Sequence, residues 1–561
     1  MTILAGIFSP GGWTAQDQQL ADEIRTHISR TDTDVRGQFF DGTLFACKVD
    51  IGAYGEPAWH DDDAWFATLT GRPLLGGADR GSDLKSLCGP DPGRVIAAGG
   101  HGVFCALVYD KAARQLRLLT DPLGLRPFYV CEQAGRWLFS TSLRVIAALS
   151  IDLSLDLDGV SEVATLGYFL LDHTPYGEVR GAAPGACWTL DSTGLQRTSY
   201  LPWQDLNAEP PGLEEGVAAV HAAFEAALTA GLAGGDGREV VSLSGSLNSR
   251  LIAVALKQRG LLVQGLAIAA ADPVSHYCTS TFAREQAIDL SLVDVQGHTM
   301  SLEGRVGHHW RHAGAALYQD LARPRVVWTG KGGSVGMGVL PIDETDVELA
   351  RWGDATRLAD RFIRRTAVAL PPRIICNYRV LEQNLRTSLI ASLGAFPGLS
   401  QERALMLFLT IQHQRRHFIL QREEVDRHRV ELHLPFCSPL VAWAALALGI
   451  EEMRDYQAYR YLIERYYPEV MASPWRGSPG HLPCPLPIPV KVKGRFSRRK
   501  RDPARRATLQ RAWRLVREWQ IPAGVLDRQG LALTCALTQA HLREGIYSLR
   551  LAATFARWLQ R

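Results

Sequence analysis

Residues Val240–Leu256 read VVSLSGSLNSRLIAVAL, a buried-strand run, then a turn of small residues, then an apolar helix with no spacer. At such a junction the small side chains of Ser244, Gly245, Ser246, Asn248 and Ser249 let backbone N–H groups approach an anion, and the new helix adds its positive end. The turn lacks the glycine-rich, lysine-containing pattern of a Walker loop, so alone it reads as a plain structural turn before it reads as a phosphate cradle. A second strand, Val326–Trp328, runs into Thr329-Gly330-Lys331-Gly332-Gly333-Ser334. In an open parallel sheet, loops after neighbouring strands gather at one crevice, and two small-residue turns there suit the two ends of a nucleotide.

Around these turns the pattern alternates. Val240–Leu243, Leu261–Ala269, Leu292–Val295 and Val326–Trp328 are strand candidates separated by helical stretches, which predicts a parallel sheet flanked by helices. Upstream, Val217, Val220, Phe224, Leu228 and Leu232 recur at three- and four-residue steps and predict a helix with one apolar face. Asn207–Gly212 (NAEPPG) reads as a linker. Before it, Gly102–Val108, Gln115–Leu119, Arg126–Val130 and Trp137–Ser140 predict an antiparallel α+β domain of β layers, with helical period confined to Asp17–Ile28. From about Glu382 the chain reads as nearly all helix, ending in the amphipathic Ile546–Leu559.

The 561 residues exceed one ordinary domain, and 46% hydrophobic content with 21% charged residues excludes disorder as the dominant state. A net charge of +3 gives no global field for nucleic acid or membrane. The longest apolar run, Leu440–Ile450, is about half the ~20 residues that span a bilayer. The N-terminus has no signal-peptide pattern and the ten cysteines form no CxxC pair, so a cytoplasmic protein with reduced thiols is expected.

Several motifs together resemble the asparagine synthetase-like family over nearly the whole chain. Asp121–Tyr129 (DPLGLRPFY), Phe139–Ser142, Thr174–Gly177 and Pro184-Gly185 resemble its glutaminase domain of the N-terminal-nucleophile class. Ser244–Ser249 resembles the ATP-pyrophosphatase signature SGGxDS, Thr329–Ser334 the second loop SGEGxDE, and Leu434-Pro435-Phe436 the RxPFxD segment. The resemblance implies a glutaminase-like domain at 1–206, a linker at 207–213 and an asparagine synthase-like α/β domain at 214–561, helical from about 380. It also implies ATP-driven adenylation of a carboxylate, then attack by an amine to form an amide.

The departures bear on each step. Thr2 stands where glutamine-using members carry a cysteine nucleophile, and a hydroxyl is a far weaker nucleophile than a thiolate. The NGE triplet reads Thr70-Gly71-Arg72 and LDG reads Gly100-His101-Gly102, so the glutaminase domain is expected to be inactive and the amine to come from ammonia or the substrate. Asn248 and Ser334 replace the aspartates that hold magnesium, a hard cation wanting anionic oxygens, which argues against Mg2+. Lys331 reverses a glutamate, and His433–Ser438 lacks the arginine and aspartate of its motif.

Two readings stay open. In one, Ser244, Gly245, Ser246, Asn248, Ser249, Gly330, Gly332, Gly333 and Ser334 bind ATP while Lys331, Arg460 and Lys491 serve catalysis, with Arg250 as a further cation. The substrate is then a small-molecule or peptide carboxylate, as in lactam- or lasso-macrolactam-forming relatives. In the other, the fold is a pseudo-synthetase that binds a protein or peptide partner. A homodimer is compatible with either. The basic run Lys491–Arg506 has no aromatic stacking platform and reads as a solvated loop rather than a nucleic-acid site. Asp61–Asp63 reads as a surface turn, His308, His309 and His312 as structural or surface residues, and Tyr456–Tyr467 as core packing.

Overall fold

The computed structural model describes residues 3–30, 35–232, 238–268, 273–293, 326–337, 342–365, 370–422, 431–477, 482–489, 503–519, 525–542 and 545–559. Thr2, His308, His309, His312 and Lys491 lie outside them.

Period-two burial dominates the first 199 residues. Along Phe104–Asp110, Cys105, Leu107 and Tyr109 face one apolar cluster while Phe104, Ala106 and Val108 face another. A strand buried on both faces must lie between two layers. The strands are β1 (Ile3–Phe8), β2 (Val35–Phe40), β3 (Leu44–Asp50), β4 (Trp59–Asp61), β5 (Trp65–Gly71), β6 (Phe104–Asp110), β7 (Gln115–Thr120), β8 (Tyr129–Gln133), β9 (Arg136–Ser140), β10 (Val179–Gly181), β11 (Ala186–Asp191) and β12 (Gly194–Ser199). They form two six-stranded sheets, β10-β8-β9-β1-β3-β2 and β12-β11-β7-β6-β5-β4, with neighbouring strands antiparallel. Leu4, Phe8, Phe39, Phe66, Leu107 and Phe139 fill the space between them, with Phe39 and Phe66 stacked at 3.9 Å.

Helices close the outer faces. Ala15–His27 buries Leu20, Ala21 and Ile24 on the first sheet, its start fixed by a capping box between Thr14 and Asp17. Arg80–Ser86 and Pro92–Gly99 cover the second with Leu84 and Ile96. These two, and Leu143–Ala147 and Leu157–Leu166, correct the expectation that helical structure is confined to 17–28. They run for only five to ten residues, too few turns for a period to stand out.

The segment Arg126–Val130, expected as one strand, is a turn followed by β8. The Asp121 carboxylate accepts the N–H groups of Leu123, Leu125 and Arg126 at 2.9–3.1 Å, which holds residues 121–126 in a loop until Tyr129.

In the second half, Leu213–Leu232 buries Val217, Val220, Phe224 and Leu228 as its period requires. A five-stranded sheet follows: β13 (Arg238–Ser242), β14 (Leu262–Ile268), β15 (Asp289–Val293), β16 (Val326–Thr329) and β17 (Glu431–His433), in order β15-β14-β13-β16-β17 with every pairing parallel. β15 begins three residues before the expected Leu292. β17 corrects the all-helical expectation after 382, since a three-residue strand is too short to show a period. Helices Tyr378–Leu393, Gln401–Arg422, Gln457–Tyr466, Pro503–Arg517, Arg528–Gln539 and Ile546–Leu559 make up most of the remainder. No helix among the described residues is long and apolar enough to cross a membrane.

The halves share core. Val160, Val163 and Ala164 from the helix Leu157–Leu166 pack with Leu370, Ile374, Leu531 and Leu551. Arg126 meets Glu431 of β17 at 3.0 Å with the two side chains 3% and 1% exposed. Asn207 accepts the Ser400 N–H at 2.9 Å, and Arg403 donates to the Ala208 carbonyl, pinning the connecting segment.

Candidate functional site

Because β13, β16 and β17 are parallel neighbours, the loops after them emerge side by side at the carboxyl edge of the sheet. Ser242 leads through 243–246 into the helix Leu247–Gln258, Thr329 through 330–332 into the short helix Gly333–Gly336, and His433 into Leu434–Ser438. The first two loops touch. A Cβ on Gly330 would lie 2.5 Å from Asn248 C and Ser249 N, and one on Gly333 would lie 2.9–3.0 Å from Phe436 and the Asn248 amide carbon. Glycine at 330 and 333 is therefore a packing requirement between the loops as they stand. The structure thus brings together Ser244, Gly245, Ser246, Asn248, Ser249, Gly330, Gly332, Gly333 and the half-buried Lys331. Ser334 is the second residue of its short helix.

The polar groups of the first loop are used internally. The Ser249 Oγ accepts the Ser244 N–H at 3.0 Å and lies 3.0 Å from the Ser244 hydroxyl, which in turn lies 2.8 Å from that of Ser246. The Ser246 N–H points to the Ser244 Oγ at 3.3 Å. Hydroxyls thus stand where an anion would meet these N–H donors. Arg476 donates its N–H to the Gly245 carbonyl at 2.8 Å, and its side chain with Ser275 covers Gly245. The Tyr459 hydroxyl donates to Asn248 Oδ1 at 2.5 Å, both residues being buried. Burial pushes the Tyr459 phenol far above its ordinary range, so it stays a donor.

This donor set does not fit magnesium. The residue at the first metal position is a neutral amide whose carbonyl oxygen is engaged by a phenol, and the second is a hydroxyl residue. Among the described residues no group of three or more His, Cys, Asp or Glu side chains could hold a metal ion.

The proposed cations divide. Arg250 is fully buried, and its guanidinium donates to the carbonyls of Ser473, Cys278 and Pro474 at 2.6–3.0 Å while lying over the Phe282 ring. Burial pulls it down to about 10, still charged at neutral pH. It clamps the Pro468–Pro474 segment to the helix and does not face a phosphate, a correction to its expected role. Arg460 is 62% exposed and pairs with Glu464 one turn on. Lys331 is the described candidate at the crevice, its N–H donating to Thr329 Oγ1 at 3.3 Å.

Tyr459 is a site residue that the sequence reading placed in the core. Five tyrosines in twelve residues give no signal as to which one turns inward; its position one helical turn before Ile463 and Leu462 on the buried face is the only clue. Asp61 pairs with Lys111 at 2.6 Å and Asp62 accepts the N–H groups of Ala64 and Trp65, a surface turn.

In the N-terminal domain, Arg72 and His101, which the family resemblance aligns with glutamine-holding acids, both line a cavity against the parallel sheet. Behind them Lys48, fully buried, donates to the Ala58 carbonyl at 2.9 Å and lies 3.4 Å from Asp50, which also takes Arg80 at 3.1 Å. Burial opposes ionisation of Asp50, but Arg80 and Lys48 outweigh it and hold the carboxyl below its ordinary range.

Known proteins match parts of this architecture. Residues 91–201 match the family of glutamine amidotransferase domains. Asparagine synthetase [glutamine-hydrolyzing] 3 of Bacillus subtilis (strain 168) is 27% identical over 155 residues, 27% of this chain and 25% of that protein. The chain therefore spans about a quarter of the length of that relative. Two solved structures share 11% identity: the glutamine phosphoribosylpyrophosphate amidotransferase from B. subtilis complexed with ADP and GMP, and an allosteric regulatory enzyme of purine biosynthesis. They cover 58% and 53% of this chain and 81% and 82% of their own, with TM-scores of 0.24 and 0.25, too slight to bear on the fold. The chain is thus similar to a glutamine amidotransferase domain over residues 91–201, within the half that carries the two antiparallel sheets, and to part of an asparagine synthetase over 155 residues.

Proposed function

We propose that this chain is a catalytically degenerate pseudo-synthetase: it keeps the two-domain scaffold, hydrolyses no glutamine and acts by binding a protein or peptide partner. The observation that carries this reading is the internal use of the strand-to-helix turn. The N–H groups of Ser244 and Ser246 meet serine hydroxyls, and the Asn248 carbonyl meets Tyr459. Replacement of both metal carboxylates by Asn248 and Ser334, and of the glutamine-holding acids by Arg72 and His101, points the same way.

The second reading is an ATP-dependent, glutamine-independent amide-forming ligase acting on a small-molecule or peptide carboxylate. One observation favours it: Lys331 sits between the glycines of the second loop, within the crevice. A fixed ammonium there would offset phosphate charge without a metal.

Calorimetric titration of ATP into the full chain, with and without magnesium, separates the two. The pseudo-synthetase reading expects no heat of binding in either condition. Binding without magnesium that is lost in Lys331→Ala, accompanied by release of AMP and pyrophosphate with a carboxylate substrate, would establish the ligase instead.

A further inference from the structure

Glu162 places a carboxylate on the seam between the two halves of the chain, and neither reading employs it. Its helix, Leu157–Leu166, packs into the core shared with the second half, and the Ala164 carbonyl accepts the Leu370 N–H at 2.8 Å. The Glu162 side chain is 0% exposed. Its Oε1 meets His173 Nδ1 at 2.6 Å and its Oε2 accepts the Leu170 N–H at 2.7 Å. From the facing helix, Tyr378–Leu393, the Ser388 hydroxyl bonds the same carboxylate. One buried acid thus holds two segments of its own domain and one of the other.

A carboxylate so buried is tolerated when a cation meets it, and His173 is placed to do so. The imidazole is 15% exposed, so solvent protons reach it. The other acids acting on it are matched, Asp156 by Arg180 at 3.2 Å and Asp172 by Arg197 at 3.1 Å. The facing helix buries Leu381, Leu385, Ser388, Leu389, Ser392 and Leu393, none of which titrates; its Arg386 turns to Asp360, and its Glu382 acts on Tyr378. On the segments that pack against the apolar side of Leu157–Leu166, Arg373 donates to Thr534 and Asp527 accepts the Gly530 N–H.

Burial opposes charge on both partners. On His173 it is outweighed by the bond to Glu162 and its charge, with Asp156 and Asp172 adding, so the imidazole keeps its proton above its ordinary value. On Glu162 burial prevails over His173, so the carboxyl also lies above its ordinary range. Both shifts have one sign: the folded chain holds the pair's proton more tightly than the unfolded chain does. The pair's contribution to stability therefore falls with rising pH, from the ordinary carboxylate value upward for Glu162 and from about 6.5 upward for His173.

We propose that Glu162 and His173 form a proton-operated latch on the domain seam: with the imidazolium in place Leu157–Leu166 stays docked on the second half, and loss of the proton leaves a buried carboxylate uncompensated and loosens the docking. The latch works whether the second half binds ATP or a protein partner.

Hydrogen exchange of the full chain, read peptide by peptide and corrected for base catalysis of the chemical step, tests it between about pH 6.5 and about pH 9. Amides of Leu157–Leu166 and Tyr378–Leu393 should lose protection as pH rises, by about tenfold for each pH unit by which the pair titrates above free histidine. Those of β6, between the two N-terminal sheets, should keep theirs. Glu162→Gln keeps an acceptor for the Leu170 N–H, and His173 without the carboxylate is neutral throughout this range, so the seam of that variant should show no such loss. Wild-type protection that is constant with pH, a loss shared equally by β6, or a loss that persists in Glu162→Gln would overturn the latch. If Glu162→Gln does not fold, the wild-type contrast between the seam and β6 decides alone.

Discussion

Replacing Arg126 with methionine removes a guanidinium whose Nη2 meets both Glu431 oxygens, at 3.2 and 3.0 Å, and leaves that carboxylate 1% exposed with its charge uncompensated. Two unit charges about 4 Å apart attract by about 4 kcal/mol at an effective dielectric of 20, and burying each ion costs several kcal/mol. The terms nearly cancel for the intact pair, so breaking it from either side should cost about 3–5 kcal/mol, while removing both charges should cost far less. The double-mutant cycle Arg126→Met, Glu431→Leu and their combination therefore predicts a coupling energy of roughly 3 kcal/mol or more. Urea denaturation, following the transition that undocks the domains, reads it out, and protease cleavage at 207–212 should quicken in the single variants. A double variant whose loss equals the sum of the two singles would refute the reasoning.

Three further outcomes are expected. Arg250→Met leaves the carbonyls of Ser473, Cys278 and Pro474 unpaired and should lower stability by about 2–4 kcal/mol in denaturant melts, whereas Arg460→Ala, exposed and paired only with Glu464, should stay within about 0.5 kcal/mol. Asn248→Asp combined with Ser334→Asp should create a melting temperature that rises with magnesium, unlike the wild type; no rise would mean that these two positions are not where a metal sits. Burial, with Arg80 and Arg126 adding and Asp50 opposing, pulls Lys48 down to about 7, below its unfolded value of about 10.4. Between those values the unfolded chain binds the extra proton, so this site's contribution to stability is full above about pH 10 and fades as pH falls to about 7. Lys48→Met should flatten the rise of urea midpoint with pH over that interval, and an unchanged slope would place the titration elsewhere.

Where a residue's environment repeats along the chain, its structure was legible. Alternation in Gly102–Val108 marked β6, the three-and-four spacing from Val217 to Leu228 marked a helix, and strand-turn-helix runs located both crevice loops. What escaped were features fixed by a single distant partner. β17 is three residues long and exists because β16 pairs with it. Arg126–Phe128 look like strand residues until the Asp121 carboxylate takes the Arg126 N–H. Arg250 follows the loop directly and looked like a phosphate ligand; carbonyls more than 200 positions away claim it. Tyr459 was one tyrosine among five, and only the approach of its helix to Asn248 makes it part of the site.

The ion pair between β17 and the Asp121 loop also sets a timetable. Its partners are 305 residues apart, so at about 5–20 residues per second the ribosome delivers Glu431 roughly 15–60 s after Arg126. Twelve strands that pair among themselves can close their sheets long before then. During that interval the face that carries Arg126 lacks its acid, Glu431, and the strand that supplies it is the last described strand of the parallel sheet to be made. Docking is thereby tied to near-completion of the second domain, and a nascent chain arrested before residue 431 would present that face to whatever anion or acidic surface it meets first.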